Sequence, residues 1–71
     1  MDMTERIRIM LVKRGNMSES ELARKIGTSP QNLHNKFKRN NFSTSELEEI
    51  ASALDCDLRI DFIDKETKTA L

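Results

Sequence analysis

The chain has no tryptophan, no tyrosine and only three phenylalanines, so its core has to rest mainly on aliphatic side chains. Its single cysteine, Cys56, excludes an internal disulfide and a cysteine cluster for zinc, and suits a reducing compartment. No apolar run approaches the roughly 20 residues of a membrane-spanning helix. The opening "MDMTERIRIM" lacks the apolar block and small-residue cleavage site of a secretory signal. A cytoplasmic location without membrane contact is the expectation. Seventy-one residues suffice for one domain, here taken as 1–71, and leave too little for a deep enclosed pocket. The lone histidine, His34, has no carboxylate at ligand spacing, and no catalytic triad, metal cluster or phosphate loop occurs. An enzyme is therefore not expected, nor are catalytic residues, a metal or any cofactor. Cys56 reads as a small buried residue and the Glu48, Glu49 pair as a solvated helix face.

Net charge is missing too, since twelve basic side chains balance twelve acidic ones. The balance hides a segregation. Residues 22–45 hold Arg24, Lys25, Lys36, Lys38 and Arg39 with no acid, a segment charge of +5. Residues 46–71 hold eight acids against Arg59, Lys65 and Lys68, a charge of −5. Fields depend on where charges sit, so a neutral chain with a basic middle still suits an anionic partner.

What is present is helical patterning with clear punctuation. Ile7, Met10 and Leu11, with Met3, recur at helical spacing and predict a first helix over 4–14, stopped by "RGN" with a glycine suited to the left-handed region. Ser18 and Glu21 have capping-box spacing and start a second helix that buries Leu22, Ala23 and Ile26 and ends at Gly27. Ser29 and Pro30 start a third that runs to Arg39, because proline at the first helical position needs no N–H partner. Ser43 or Thr44 caps a fourth, with Leu47, Ile50, Ala51 and Leu54 on one face. "DLRIDFID" alternates Leu58, Ile60 and Phe62 with polar neighbours and predicts a strand over about 57–63. The last residues, "KETKTAL", read as a frayed tail.

The three-residue connection Gly27, Thr28, Ser29 forces the second and third helices to cross steeply. Leu33 and Phe37 then set the inward direction of the third helix, which puts Gln31, Asn35 and Lys38 near the opposite side, flanked by Asn32 and His34. An amide that both donates and accepts matches an adenine edge in the DNA major groove. Lys36, Lys38 and Arg39 are placed to hold phosphates, which gives affinity without reading sequence.

The stretch "SESELARKIGTSPQNLHNKF", continued by "SELEEIASALDCDL", resembles the helix-turn-helix of the Cro and lambda-repressor-like family over most of the chain. Glu21, Leu22, Ala23, Gly27 and Leu33 stand where that family has its packing residues. The resemblance implies an all-α domain of four to five helices, with the helix-turn-helix at about 18–39, that binds double-stranded DNA through the third helix, usually as a dimer. It implies Ser29, Gln31, Asn32 and Asn35 as base readers or near neighbours, and phosphate contacts at Ser18, Lys38, Arg39, Asn40 and Asn41. Two positions depart from the pattern: Glu19 brings a carboxylate where the family often offers a neutral donor, and Lys36 stands where an apolar residue commonly follows Leu33.

A lone strand cannot satisfy its own backbone groups, and no second strand is evident. Pairing with the same strand of a second copy, through Leu58, Ile60 and Phe62, is the expected solution, giving a homodimer. The functional reading is a sequence-specific DNA-binding regulator of transcription. The alternative is an antitoxin or protein-binding adaptor that uses the same domain and grips a protein partner through the fourth helix and the acidic tail.

Overall fold

Four side chains start four helices in the same way. Asp2, Ser18, Ser29 and Ser43 have extended backbone, and each side-chain oxygen accepts the N–H three residues on, at Glu5 (2.8 Å), Glu21 (3.0 Å), Asn32 (3.1 Å) and Glu46 (3.1 Å). Each bond satisfies a helix-start donor that has no partner within its own helix, and its loss costs about 1 kcal/mol. The computed structural model describes residues 2–70. Helix α1 spans Met3–Lys13, α2 Glu19–Ile26, α3 Pro30–Arg39 and α4 Thr44–Ala53. Pro30 occupies the start of α3 as expected.

The ends are equally local. Gly15 (φ +79°) and Asn16 (φ +56°) turn the chain after α1, and the Met17 N–H reaches back to the Leu11 carbonyl at 2.9 Å. Gly27 (φ +77°) closes α2, with the Thr28 N–H on the Ala23 carbonyl at 2.9 Å, the bond that marks a left-handed helix stop. After α3 the same role falls to Asn40 (φ +50°), and the Asn41 N–H donates to the Lys36 carbonyl.

The core joins Ile7 and Leu11 of α1, Leu22 and Ala23 of α2, Leu33 and Phe37 of α3, Ile50 of α4 and Leu54 just beyond it. Helix α2 sits at the centre, touching both α3 and α4, and Leu22 and Ala23 are wholly buried. The small Ala23 side chain permits that close approach. Phe37 meets Phe42 edge-on at 5.9 Å, which anchors the loop after α3.

Two long-range bonds tie α1 to the rest. The Thr4 hydroxyl donates to the Phe37 carbonyl at 2.8 Å, while Asn40 Oδ1 accepts from the Thr4 backbone N–H at 3.1 Å. At the other end of α1, Arg14 Nε donates to the Leu54 carbonyl at 2.7 Å, placing a cation at the C-terminal end of α4.

Several expectations change. The reciprocal capping box forms at Ser43 and Glu46, whereas the predicted Ser18, Glu21 pair makes only its first half. Ile26 and Cys56 are half-buried; the Cys56 sulfur lies 3.6 Å from Arg14 Nη2 and 3.3 Å from the Leu54 carbonyl. No strand forms at 57–63: residues 57–62 are irregular, and the described residues offer them no sheet partner. The tail does not simply fray. Ile63 bridges Ala70 in antiparallel fashion, the Asp64 N–H donates to the Thr69 carbonyl at 2.9 Å, and the Asp64 carboxylate accepts from the Glu66 and Thr67 N–H groups. An aspartate at the start of a turn supplies such acceptors, which is why this segment closes.

Candidate nucleic-acid interface

The first turn of α3 differs from those of its neighbours. Glu5 in α1, Glu19 and Glu21 in α2, and Glu46 in α4 place carboxylates near the positive end of a helix dipole, but the first turn of α3 carries none. Its last turn carries Lys36, Lys38 and Arg39. An anion approaching α3 at its start therefore meets oriented N–H dipoles with no competing carboxylate in that turn.

Leu33 and Phe37 are 2% and 3% exposed, and they turn the other face of α3 outward. Gln31, Asn32, His34 and Asn35 are all exposed. Gln31 Nε2 donates to Asn35 Oδ1 at 3.2 Å, one helical turn away, so the two amides form a connected pair. The Ser29 hydroxyl oxygen is engaged as the cap of α3, accepting from the Asn32 N–H.

The basic residues divide into two groups. Lys38 and Arg39 are exposed and pair with no carboxylate among the described residues. Lys36 is half-buried, with its ammonium 3.1 Å from Glu46 at the start of α4. That pairing gives the Lys36 departure from the family pattern a partner: the lysine stands at a position expected to be apolar, and a carboxylate of α4 meets it. Hydrogen bonding from the Ser43 N–H, then from Lys36 and the Ser43 hydroxyl, holds the Glu46 carboxyl below its ordinary value of 4.5, against a small opposing effect of burial.

Glu19, the other departure, is likewise engaged. Its carboxylate lies 3.2 Å from Arg8 of α1 and 3.4 Å from His34 Nδ1 of α3. His34 thus has a carboxylate beside it that no local spacing foretold. Arg8 also lies over the Phe37 ring, 5.4 Å from its centroid. Among the predicted phosphate contacts, Ser18 caps α2, Asn41 is exposed, and Asn40 is exposed while its oxygen serves Thr4.

Helices α2 and α3 are joined by three residues, and α3 carries three basic residues in its last turn and an exposed amide face. The family comparison decides what they amount to: a model of the Cro/C1-type HTH DNA-binding domain matches residues 6–61. The chain belongs to that family. The match takes in all of α2, α3 and α4 and most of α1, and stops within the segment that follows α4. Comparison with curated proteins and with solved structures gives no match. No helix among the described residues is long and apolar enough to cross a membrane, and no group of three or more His, Cys, Asp or Glu side chains among them could hold a metal ion.

Proposed function

We propose that the protein is a sequence-specific regulator of transcription that binds double-stranded DNA as a homodimer, with α3 in the major groove. The observation that carries this reading is the outward face of α3, where Gln31, Asn32 and Asn35 stand exposed beside Lys38 and Arg39, cations that pair with no carboxylate among the described residues. In this reading Gln31, Asn32 and Asn35, with Ser29 at the helix start, meet base edges. Lys38 and Arg39 hold phosphates, assisted by Ser18, Asn40 and Asn41 through amide, hydroxyl or N–H groups. Lys36 joins them only by leaving Glu46.

Dimerisation is assigned to the segment after α4. Ile60, Phe62 and Ile63 are 59%, 81% and 57% exposed, a large apolar surface for so short a stretch, and residues 57–62 have no sheet partner among the described residues. Pairing with the same segment of a second copy through Leu58, Ile60 and Phe62 would cover both deficits. Two copies would then present α3 about 34 Å apart, one turn of DNA, or at a larger spacing. The same exposed surface supports a second reading, in which it grips a different protein, as an antitoxin or adaptor would.

The test is a fluorescence-anisotropy titration with a mixed-sequence duplex of about 25 base pairs at two salt concentrations, since each neutralised phosphate adds about 0.9 to the slope of log affinity against log salt. A steep fall with salt, reduced by about one unit in Lys38→Ala, is the expected result. No binding at low salt would overturn the reading and leave the basic segment to another partner. Ile60→Asp should make the protein sediment as a monomer; an unchanged profile would remove the tail from the dimer, and a co-purifying second protein would favour the adaptor reading.

A further inference from the structure

Among the described residues, the large apolar side chains left in water are Ile9 and Val12 of α1 and Ile60, Phe62 and Ile63 of the segment after α4. None lies on α2, α3 or α4. We propose that the two sets cover one another between copies: the outer face of α1, through Ile9 and Val12, is the seat for Ile60 and Phe62 of a second copy's C-terminal segment. The inference rests on the proposal that this segment makes a homodimer, and it names the surface that receives it.

Ile7 and Leu11 are buried and turn one side of α1 into the core. At about 100° per residue Ile9 falls opposite them, and Val12, three positions on, is its neighbour on the outer face. Arg6 and Lys13 flank Ile9 there, both exposed and paired with no carboxylate among the described residues, with Glu5 the acid beside them. Residues 57–66 carry Asp57, Asp61, Asp64 and Glu66 against Arg59 and Lys65. An apolar patch with a basic margin thus faces an apolar segment with an acidic one, and opposite fields fix which surfaces meet. Position favours the same pairing. Arg14 Nε donates to the Leu54 carbonyl at 2.7 Å and its Nη2 to the Asp55 carbonyl at 3.4 Å, so the segment leaves the body beside the C-terminal end of α1, within one turn of Val12. Its own α1 does not receive it, since Val12 and Phe62 are both exposed. The chain measures 42 × 24 × 19 Å, and its radius of gyration of 13.6 Å exceeds the value of about 11 Å for a compact chain of this length. The segment stands off the body, and the Ile63, Ala70 bridge and the Asp64 turn fold its far end on itself. Extended, it turns Ile60 and Phe62 to one side. About a two-fold axis the contact is made twice, each copy's segment lying on the other's α1.

The experiment is sedimentation of the full chain over a range of concentrations, for wild type, Val12→Asp and Phe62→Asp. Both side chains are exposed in the single chain, so each variant should keep the wild-type helix content by circular dichroism. Each should raise the dimer dissociation constant by roughly tenfold or more, because a carboxylate replaces an apolar group at a covered contact. Val12→Asp is the decisive variant, since nothing in the single chain or in a dimer made by the segments alone calls for an apolar residue there. A second measurement asks whether the two positions meet. Val12→Cys protein is mixed with Phe62→Cys protein, both carrying Cys56→Ser, and oxidised; the mixture should yield a covalent dimer of one chain of each kind, in excess of what either protein forms alone. If Phe62→Asp is monomeric while Val12→Asp dimerises as wild type does, the seat on α1 is overturned and the dimer through the C-terminal segment stands. If both Asp variants are monomeric but the mixture gives no excess of the mixed dimer, Val12 faces something other than the segment, and the inference is overturned. If wild type is itself monomeric throughout, or both Asp variants dimerise unchanged, the inference and the reading beneath it fail together.

Discussion

The four-helix body and the segment that follows it contain the same kinds of side chain and use them in opposite ways. Phe37 is 3% exposed, packed edge-on against Phe42 and covered by Arg8; Phe62, of the same residue type, is 81% exposed. In the body, apolar groups recur at helical spacing and meet across α2. After α4 they alternate along irregular chain and find no partner within the described residues. The difference shows that apolar content does not make a core. A segment becomes core when its periodicity matches a structure that the same chain can complete, and otherwise its apolar surface is left for another molecule.

The same substitution at the two phenylalanines is the strongest way to break this contrast. Phe37→Ala should cost about 3 to 5 kcal/mol, from the lost transfer energy and the cavity left behind. A single core in a domain this small supplies about that much, so the variant should be largely unfolded by circular dichroism at room temperature. A cooperative melt close to that of wild type would show that the body is held by something other than this core.

The link between α1 and the end of α3 is the next largest. Asn40 serves twice, as the left-handed residue that ends α3 and as the acceptor for Thr4. Asn40→Ala removes the acceptor and puts a residue with a Cβ into the left-handed region, a combined loss of about 2 to 3 kcal/mol. Asn40→Gly restores the backbone freedom alone and should recover about half of that. Equal urea midpoints for the two variants would mean that only one of the two roles matters.

Phe62→Ala should change the stability of the isolated chain by no more than about 0.5 kcal/mol, since its side chain is already in water. Its effect should appear instead in sedimentation, as a weaker dimer at a given concentration. A stability loss comparable to that of Phe37→Ala in dilute solution would erase the distinction between body and tail.

The sequence made the body legible because its signals are local. Ser18, Ser29 with Pro30, and Gly27 each act within a few residues, and the period of Leu33 and Phe37 was enough to place Gln31 and Asn35 on the outer face of α3. What escaped was long-range. Thr4 meets Asn40 from 36 positions away, Arg14 meets Leu54 from 40, and Glu19 reaches His34 from 15. Such contacts follow from how helices cross, which no single stretch records. The predicted strand at 57–63 failed for a related reason: alternation is a local property, whereas a strand exists only with a partner. At the candidate interface, the same limit made Lys36 look as free as Lys38 until Glu46 of α4 came across to it.

The Lys36, Glu46 contact gives the smallest prediction and tests whether the body's polar ties contribute at all. Glu46 is held below its ordinary value of 4.5 by the Ser43 N–H first, then by Lys36 and the Ser43 hydroxyl. A carboxyl with a lowered folded pKa adds stability that is present above its unfolded pKa and is lost as pH falls through the folded value. The gain from Glu46 should therefore be complete near neutrality and fade on acidification below about pH 4.5. Other carboxylates titrate in the same range, so the useful quantity is a difference. Glu46→Gln keeps a side chain that can complete a capping box but removes the charge. Thermal melts of the two proteins should differ slightly at pH 7, with wild type the more stable, and converge as the pH is lowered through the folded value of Glu46. Because the carboxylate lies near the surface, the gap at neutrality should also narrow with added salt. A gap independent of pH would mean that the charge of Glu46 contributes nothing to stability.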